Sequence, residues 1–215
     1  MTVLPQSIHP VIRRALLAAV LSFIAVPALA VRTLMVFGDS LSAAHNLATE
    51  QGWVNLLGKR IATARLPWGV VNASVTGETT AGGLRRLAED LKRHKPAIVV
   101  IELGANDALR GLPVALMRSN LEQMIHLARK ARAEPVLVGI MIPPNYGIDY
   151  AAEFRDMYRA LALKRKVSLV PFLLEGIADK PELFQADHLH PTAQAQSRIA
   201  DNVWPVLEPL LKKTQ

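Results

Sequence analysis

From Thr33 to the end of the chain, short apolar runs alternate with longer segments of helical periodicity, and this alternation restricts the possible folds more than any other feature. The run Ile98-Val99-Val100-Ile101 is apolar without interruption, as in a parallel strand that is buried on both faces. Strands are also predicted over residues 33–37, 69–73, 136–140 and 168–170. The pattern predicts an α/β fold in which a parallel sheet lies between two layers of helices.

The segments between these strands have the spacing of amphipathic helices. Over residues 80–94, Leu84, Leu87 and Leu91 fall on one side and charged residues on the other. Helices are also predicted over 52–64, 113–133, 150–166 and 193–211, the last one interrupted near Pro205. Since no repeat or Gly/Ser-rich linker divides residues 31–215, we predict one domain there. We expect a five-stranded, flavodoxin-like sheet with the strand order 2-1-3-4-5.

Residues 1–30 have the pattern of a secretory signal peptide. Two arginines precede an apolar stretch over 15–26, and Pro27 is followed by Ala28-Leu29-Ala30, a small-residue cleavage signal. The alternative is an uncleaved membrane anchor, for which the apolar stretch is short. We therefore predict cleavage after Ala30 and a periplasmic or secreted protein.

Composition and charge exclude several classes of protein. The absence of cysteine excludes a disulfide framework and a thiolate nucleophile. The formal net charge of +7 raises the question of nucleic acid, but acidic residues are interspersed with the basic ones and only 5% of the residues are aromatic. We therefore expect no nucleic-acid partner. We also expect a monomer. The positive charge favours weak attraction to anionic surfaces such as phospholipid headgroups, and thus transient contact with a membrane.

Polar residues follow three of the predicted strands and occur again near the end of the chain. Gly38-Asp39-Ser40 follows the first strand, a loop containing Gly77 follows the second, and a loop containing Asn106 follows the third. The last loop contains Asp187-His188-Leu189-His190. Because ligands bind beyond the carboxyl ends of parallel strands, we expect these residues to meet at one edge of the sheet.

Ser40, Asp187 and His190 have the side chains that acyl transfer through a serine requires. An alcohol becomes a nucleophile when a base lies within hydrogen-bonding distance and a third group orients that base. We predict that His190 takes the proton of Ser40 and that Asp187 orients His190. A tetrahedral intermediate then needs hydrogen-bond donors for its oxyanion, which we assign to the Ser40 N–H, the Gly77 N–H and the Asn106 amide. Activity should rise with pH as a histidine loses its proton, ordinarily at about pH 6.5.

Each of these residues also has a purely structural interpretation. Gly77 could be a turn glycine and Asn106 a helix cap. Asp187 could cap a turn and His190 could be a surface residue. His188 competes with His190, because an extended segment would direct both side chains to the same side.

The histidines also raise the question of a metal. His188 and His190 with Asp187 offer three ligands, but no further Cys, His or Asp cluster lies nearby in the sequence. We expect His45, which lies in a loop, to be structural. We therefore predict neither a metal nor a cofactor.

The sequence blocks around Ser40, Gly77, Asn106 and His190 resemble those of the SGNH, or GDSL-like, hydrolase superfamily, whose name is formed from these four residue types. The likeness covers nearly all of the chain after residue 30 and is greatest to its bacterial periplasmic members with thioesterase, lysophospholipase, arylesterase and protease activities. The segments that carry it are 38–43, 71–74, 102–111 and 144–147. Two positions depart from the family pattern. Ala105 stands where a second glycine is common, and His188 replaces the glycine of Asp-Gly-x-His-Pro, which adds bulk beside His190.

The resemblance implies a serine hydrolase that cleaves acyl esters and thioesters through an acyl-Ser40 intermediate. The expected substrates are small acyl esters, thioesters or lysophospholipids. Two apolar loops could line a groove for the acyl chain or simply pack on the core, and their candidate residues are Leu109, Met141, Pro144 and Tyr146. One alternative is a carbohydrate O-deacetylase with the same triad, and another is a non-catalytic periplasmic acyl-binding module.

Overall fold

Five parallel strands form one sheet in the computed structural model, which describes residues 31–213. The strands are β1 Arg32–Gly38, β2 Trp68–Asn72, β3 Ile98–Glu102, β4 Glu134–Val138 and β5 Ser168–Val170. Their order in the sheet is β2-β1-β3-β4-β5, so the predicted parallel sheet and strand order are confirmed. The predicted signal peptide over residues 1–30 and its cleavage site after Ala30 lie outside the described residues.

Helices cover both faces of the sheet. They are α1 Trp53–Thr63, α2 Thr80–His94, α3 Ala105–Leu109, α4 Val114–Lys130, α5 Ile148–Arg165 and α6 Gln196–Lys213. Helix α1 packs against α6 on one face, whereas α4 packs between α2 and α5 on the other. The short helix α3 is absent from the sequence prediction, because five residues are too few for periodicity to show. Within residues 31–213, no helix combines the length and apolar character that crossing a bilayer requires.

Helix α6 continues through Pro205 and Pro209, so the predicted interruption near Pro205 is wrong. A proline inside a helix removes one hydrogen bond and costs about 3 kcal/mol. The apolar face of α6 keeps its spacing across Pro205, with Val203 before it and Leu207 and Leu211 after it, all fully buried. Burial of such side chains contributes about 1.5–3 kcal/mol each, which is enough to hold the helix together.

Strand β3 occupies the centre of the sheet, and its carboxyl end lies beside that of β1. Gly38 is paired with Glu102 in the register of these two strands. A Cβ atom on Gly38 would lie 2.6 Å from Oε2 of Glu102 and 2.9 Å from Oγ of Ser42. Only glycine therefore fits at the point where the chain leaves β1 and enters the loop that carries Ser40.

Candidate active site

His190 lies between Ser40 and Asp187 and contacts both through its ring. Its Nε2 is 2.8 Å from Oγ of Ser40, and its Nδ1 is 2.7 Å from Oδ2 of Asp187. An ionised carboxylate can only accept hydrogen bonds, so Nδ1 carries the proton in the neutral ring and Nε2 accepts from the Ser40 hydroxyl. The structure thus brings together the three residues that the sequence predicts as nucleophile, base and orienting acid.

The turn over residues 187–190 holds the Asp187 carboxylate in place. Its Oδ1 accepts hydrogen bonds from the N–H groups of Leu189 at 2.9 Å and His190 at 3.0 Å. Burial by itself raises the pKa of Asp187, but the hydrogen bonds from His190 and Leu189 more than offset this and hold the pKa below its usual range. Asp187 is therefore ionised at neutral pH and can stabilise a positive charge on the imidazole.

His188 lines the same cavity as His190 but does not contact Ser40, because this segment is a turn and not an extended strand. Its φ angle is +55°, in the left-handed region, and its N–H donates to the carbonyl oxygen of Gln185 at 2.9 Å. Only His190 contacts Ser40. The left-handed backbone also explains why glycine suits this position, since it has no Cβ to strain.

Two of the three predicted oxyanion donors are free. Among the hydrogen bonds of residues 31–213, neither the Ser40 N–H nor the Gly77 N–H has a protein acceptor. Both residues line the same cavity. Gly77 has a φ of +77°, and a Cβ atom there would meet nothing within 4 Å. Glycine is therefore favoured at position 77 because it adopts a positive φ without strain, and not because a neighbouring group packs closely against it.

The third predicted donor, Asn106, is already engaged. Its Nδ2 lies 3.1 Å from Oδ2 of Asp39 and 3.1 Å from the carbonyl oxygen of Glu78. An amide nitrogen carries two protons, so Asn106 has to turn one of them away from these acceptors before it can bind a ligand oxygen. It lines the cavity together with Ser40 and Gly77.

Two buried carboxyl groups, Asp39 and Glu102, lie beneath the Ser40 loop. Burial raises the pKa of Asp39 to about 6, although hydrogen bonds from the Leu41 N–H and the Asn106 amide act in the opposite direction. Burial, reinforced by the neighbouring Asp39 charge, raises the pKa of Glu102 well above its usual range. Oε2 of Glu102 accepts from the hydroxyl of Ser42 at 2.7 Å and from the Asp39 N–H at 3.3 Å.

Glu102 thus binds the backbone before Ser40 and the Ser42 side chain after it, a role that was not predicted from the sequence. The sequence offered one indication of this role, because Glu102 directly follows the apolar run Ile98–Ile101 and an acidic residue there is expected to be buried.

A second buried polar cluster joins the Gly77 loop to the helix that carries Asn106. The N–H and hydroxyl groups of Thr80, at the start of α2, donate to the Asp107 carboxylate at 2.8 and 2.6 Å. The Asn120 amide donates to the Thr80 hydroxyl at 3.0 Å. Because all three side chains are buried, this cluster sets the distance between two of the oxyanion donors. The role of these residues was not predicted from the sequence.

A cavity of about 570 Å³ opens beside Ser40 and His190, and most of its wall is apolar. Leu109, Met141 and Pro144 lie on this wall, as the sequence predicts. Tyr146 is not among the lining residues, and 42% of it is exposed, so its predicted place in the groove is corrected. Tyr146 is the last residue of the short 3-10 turn Pro144–Tyr146, in which Pro144 lines the cavity and Tyr146 does not.

His45 lies against the catalytic candidate His190, a contact that the sequence analysis missed. The centroids of the two rings are 4.2 Å apart and the ring planes are inclined by 40°. The His45 carbonyl oxygen also accepts a hydrogen bond from the Gln185 amide at 2.9 Å. Sequence reasoning had no signal for this contact, because the two histidines are distant in the chain.

Comparison with known proteins gives a consistent assignment. Residues 36–198 match the model of the GDSL-like Lipase/Acylhydrolase family. The chain is 51% identical to Esterase TesA of Pseudomonas aeruginosa over 85% of this chain and 90% of that protein. It is 40% identical to Thioesterase 1/protease 1/lysophospholipase L1 of Escherichia coli K12 over 86% of this chain and 87% of that protein.

The solved structures agree with the sequence relatives. The crystal structure of TesA has a TM-score of 0.81 and 51% identity, over 83% of this chain and 99% of the other. Family match, sequence identity and fold all lead to the same assignment. The chain belongs to the GDSL-like lipase/acylhydrolase family and is an ester hydrolase.

Proposed function

We propose that this protein is a serine esterase that cleaves acyl esters and thioesters through an acyl-Ser40 intermediate. The observation that carries the proposal is the hydrogen-bonded chain from Ser40 through His190 to Asp187, with distances of 2.8 and 2.7 Å. It lies at the mouth of a largely apolar cavity. A base in contact with a serine hydroxyl and oriented by a carboxylate is the arrangement that nucleophilic acyl transfer needs.

In the first half of the reaction, Oγ of Ser40 attacks the carbonyl carbon of the ester while its proton passes to Nε2 of His190. The imidazolium that forms is stabilised by the ionised Asp187. The tetrahedral intermediate then expels the alcohol or thiol, which takes the proton from Nε2. The acyl group remains on Ser40.

In the second half, the proton path runs through the same atoms. A water molecule gives a proton to Nε2 of His190 and attacks the acyl carbon. Collapse of the second tetrahedral intermediate returns this proton to Oγ of Ser40 and releases the carboxylic acid. His190 therefore ends the cycle neutral, as it began.

The oxyanion is proposed to bind the N–H groups of Ser40 and Gly77 and one N–H of Asn106. The first two have no protein acceptor among the described residues, so they are available without any rearrangement. Asn106 exchanges its hydrogen bond to the Glu78 carbonyl for one to the oxyanion. Its other N–H remains hydrogen-bonded to Asp39. Loss of one donor typically lowers turnover by about 10²–10³.

The acyl chain of the substrate is proposed to occupy the apolar cavity. Leu109, Met141 and Pro144 contribute to its wall, and a site of this size and character suits an aliphatic chain better than an acetyl group alone. The names of two relatives, an esterase and a thioesterase/lysophospholipase, support acyl esters, thioesters and lysophospholipids as the substrate class.

We also propose where and in what state the protein works. The arginines, apolar stretch and Ala28-Leu29-Ala30 of the first 30 residues support export and cleavage after Ala30, and hence a periplasmic or secreted enzyme. The net charge, which is +5 without the two arginines of residues 1–30, and the partly exposed Met141 and Leu189 at the cavity support transient contact with a membrane surface. The enzyme is proposed to act as a monomer.

The direct test compares the purified protein with Ser40→Ala on p-nitrophenyl esters from acetate to laurate. We expect the protein to cleave the medium and long esters and Ser40→Ala to lose at least about 1,000-fold in kcat. Cleavage of acetate alone would replace this proposal with an O-deacetylase. Absence of cleavage by either protein would replace it with an acyl-binding module.

A phosphonate reagent tests the identity of the nucleophile independently. It forms a stable bond to an activated serine, so mass spectrometry of a digest should find the label on Ser40. Ser42, two residues after Ser40, and Ser74, in the loop that follows β2, are the internal controls, because His190 is hydrogen-bonded to Ser40 and to neither of them. A label on either of them, with Ser40 unmodified, would contradict the assignment.

A further inference from the structure

Three potential metal ligands meet beside Ser40. One ligand atom each from His45, Asp187 and His190 lies within 4.8 Å of the others. Two of these residues belong to the proposed catalytic machinery, whereas His45 has no part in the proposed mechanism. His188 is the second histidine that the sequence suggests for such a group, but the fold brings His45 there instead.

This set of donors has a defined preference among metal ions. Two imidazoles and one carboxylate suit Zn²⁺, Cu²⁺ and Ni²⁺, whereas Mg²⁺ prefers oxygen ligands throughout. Three such ligands with a fourth position open to water form a common type of zinc site. Bonds of about 2.0–2.1 Å place tetrahedral ligands about 3.4 Å apart, and the three ligand atoms already lie within 4.8 Å of one another.

His45 is free to act as a ligand. Within residues 31–213, neither of its ring nitrogens has a hydrogen-bonding partner, and its ring is only partly buried. Its backbone is held by the hydrogen bond from Gln185 to the His45 carbonyl oxygen. The ring therefore stays beside His190 but has a lone pair available for a cation.

We propose that a divalent transition-metal ion, with Zn²⁺ as the best candidate, binds His45, Asp187 and His190 and reversibly inhibits the enzyme. Binding at Nδ1 of His190 displaces its proton, which moves to Nε2, so no net proton is released. Nε2 then carries a hydrogen and can no longer accept the proton of Ser40. Binding at Nε2 blocks Ser40 directly. The inhibition, but not the binding, rests on the proposed function.

The inhibition is tested with zinc chloride in a buffer that does not chelate metals, using p-nitrophenyl butyrate as substrate. Each protein's rate is divided by its own metal-free rate. The unmodified protein should lose activity as zinc rises, should recover it when EDTA is added, and should not respond to magnesium chloride. His45→Phe keeps an aromatic ring against His190 but no ligand atom, so it should need at least about tenfold more zinc for half inhibition.

His188→Asn is the matched control, since His188 follows Asp187 directly but is not part of the cluster. Its half-inhibitory zinc concentration should equal that of the unmodified protein. Equal zinc sensitivity of His45→Phe and the unmodified protein would overturn the proposal. So would a loss of sensitivity in the His188 variant alone, which would assign the metal to His188.

Calorimetry on Ser40→Ala separates this inference from the proposed function, because it measures binding without catalysis. Ser40→Ala should bind one zinc ion, and Ser40→Ala/His45→Phe should bind it at least about tenfold more weakly. Equal binding by the two proteins would overturn the site whatever the esterase assays show. Binding by Ser40→Ala in a protein that cleaves no ester would leave the metal site standing and reject only the proposed reaction.

Discussion

The side-chain amide of Gln185 donates a hydrogen bond to the carbonyl oxygen of His45 at 2.9 Å and thereby joins the loop of His190 to the loop of Ser40. The same amide donates to the carbonyl oxygen of Pro191 at 3.1 Å. The Gln185 N–H donates to the carbonyl oxygen of His190 at 2.8 Å. One residue therefore holds both ends of the contact between nucleophile and base.

Gln185→Leu removes the two side-chain hydrogen bonds with little change in volume. We expect kcat to fall by about tenfold while KM changes by less than about twofold, because a small displacement of His190 affects proton transfer more than substrate binding. Steady-state kinetics on p-nitrophenyl butyrate measure both constants. Gln123→Leu, on the exposed face of α4, is the matched control and should leave both unchanged. A rise in KM at constant kcat would show that Gln185 acts on substrate binding instead.

The buried Asp39 and Glu102 predict an unusual dependence of stability on pH. The unfolded chain releases these protons at about pH 4, whereas the folded protein keeps them up to about pH 6 at Asp39 and to higher pH at Glu102. Their raised pKa values therefore contribute stability that is complete below pH 4 and is lost as the pH rises through the folded-state values.

Glu102→Gln replaces the carboxyl group with an amide that does not ionise, so position 102 no longer contributes to the pH dependence of stability. The difference in free energy of unfolding, variant minus unmodified protein, should increase from pH 4 to pH 7 with a slope approaching about 1.4 kcal/mol per pH unit. Urea denaturation at four pH values measures it, and other titrating groups cancel in the difference. A difference that stays constant over this range would mean that Glu102 is ionised in the folded protein.

The left-handed backbone of His188, with φ +55°, predicts a gain in stability on substitution by glycine. A residue with a Cβ is strained in this region by about 1 kcal/mol. His188→Gly should therefore raise the free energy of unfolding by about 0.5–1 kcal/mol, since the added freedom of the unfolded chain offsets only part of the relief. His188→Ala keeps the Cβ and should show no gain. An equal gain in both variants would attribute the effect to the imidazole and not to the backbone.

The cavity predicts that bulk on its wall will discriminate between acyl chains. Ala178 lies on this wall and is solvent-exposed, so a larger side chain fits there without disturbing the core. Ala178→Trp should lower kcat/KM for p-nitrophenyl laurate by about tenfold more than for the acetate, because only the longer chain needs the space. Ala131→Trp, exposed at the end of α4, controls for a surface tryptophan. Equal losses for both esters would place the acyl chain elsewhere.

Part of the site was predictable because its signals are local. Gly38-Asp39-Ser40 directly follows an apolar run, and Asp187 lies three residues before His190, so both groups could be recognised from short stretches of sequence. Glu102 was harder to interpret, because its role depends on the burial that raises its pKa. Tyr146 was misplaced because an apolar loop indicates a buried surface but not which side chains face it.

The sequence by itself predicted the five strands and their order, placed Ser40, Gly77 and Asn106 after the first three strands and Asp187 and His190 in the last loop, and indicated the family through a resemblance of short motifs. Runs such as Ile98–Ile101 predict the strands because the spacing of apolar residues along the chain reflects which side chains are buried. Only the tertiary structure decided that His45 lies against His190, that Gln185 joins their loops, and that α6 continues through Pro205. These outcomes depend on contacts between segments distant in the chain and on burial energies that outweigh local preferences. The spacing of apolar residues along the chain contains neither kind of information.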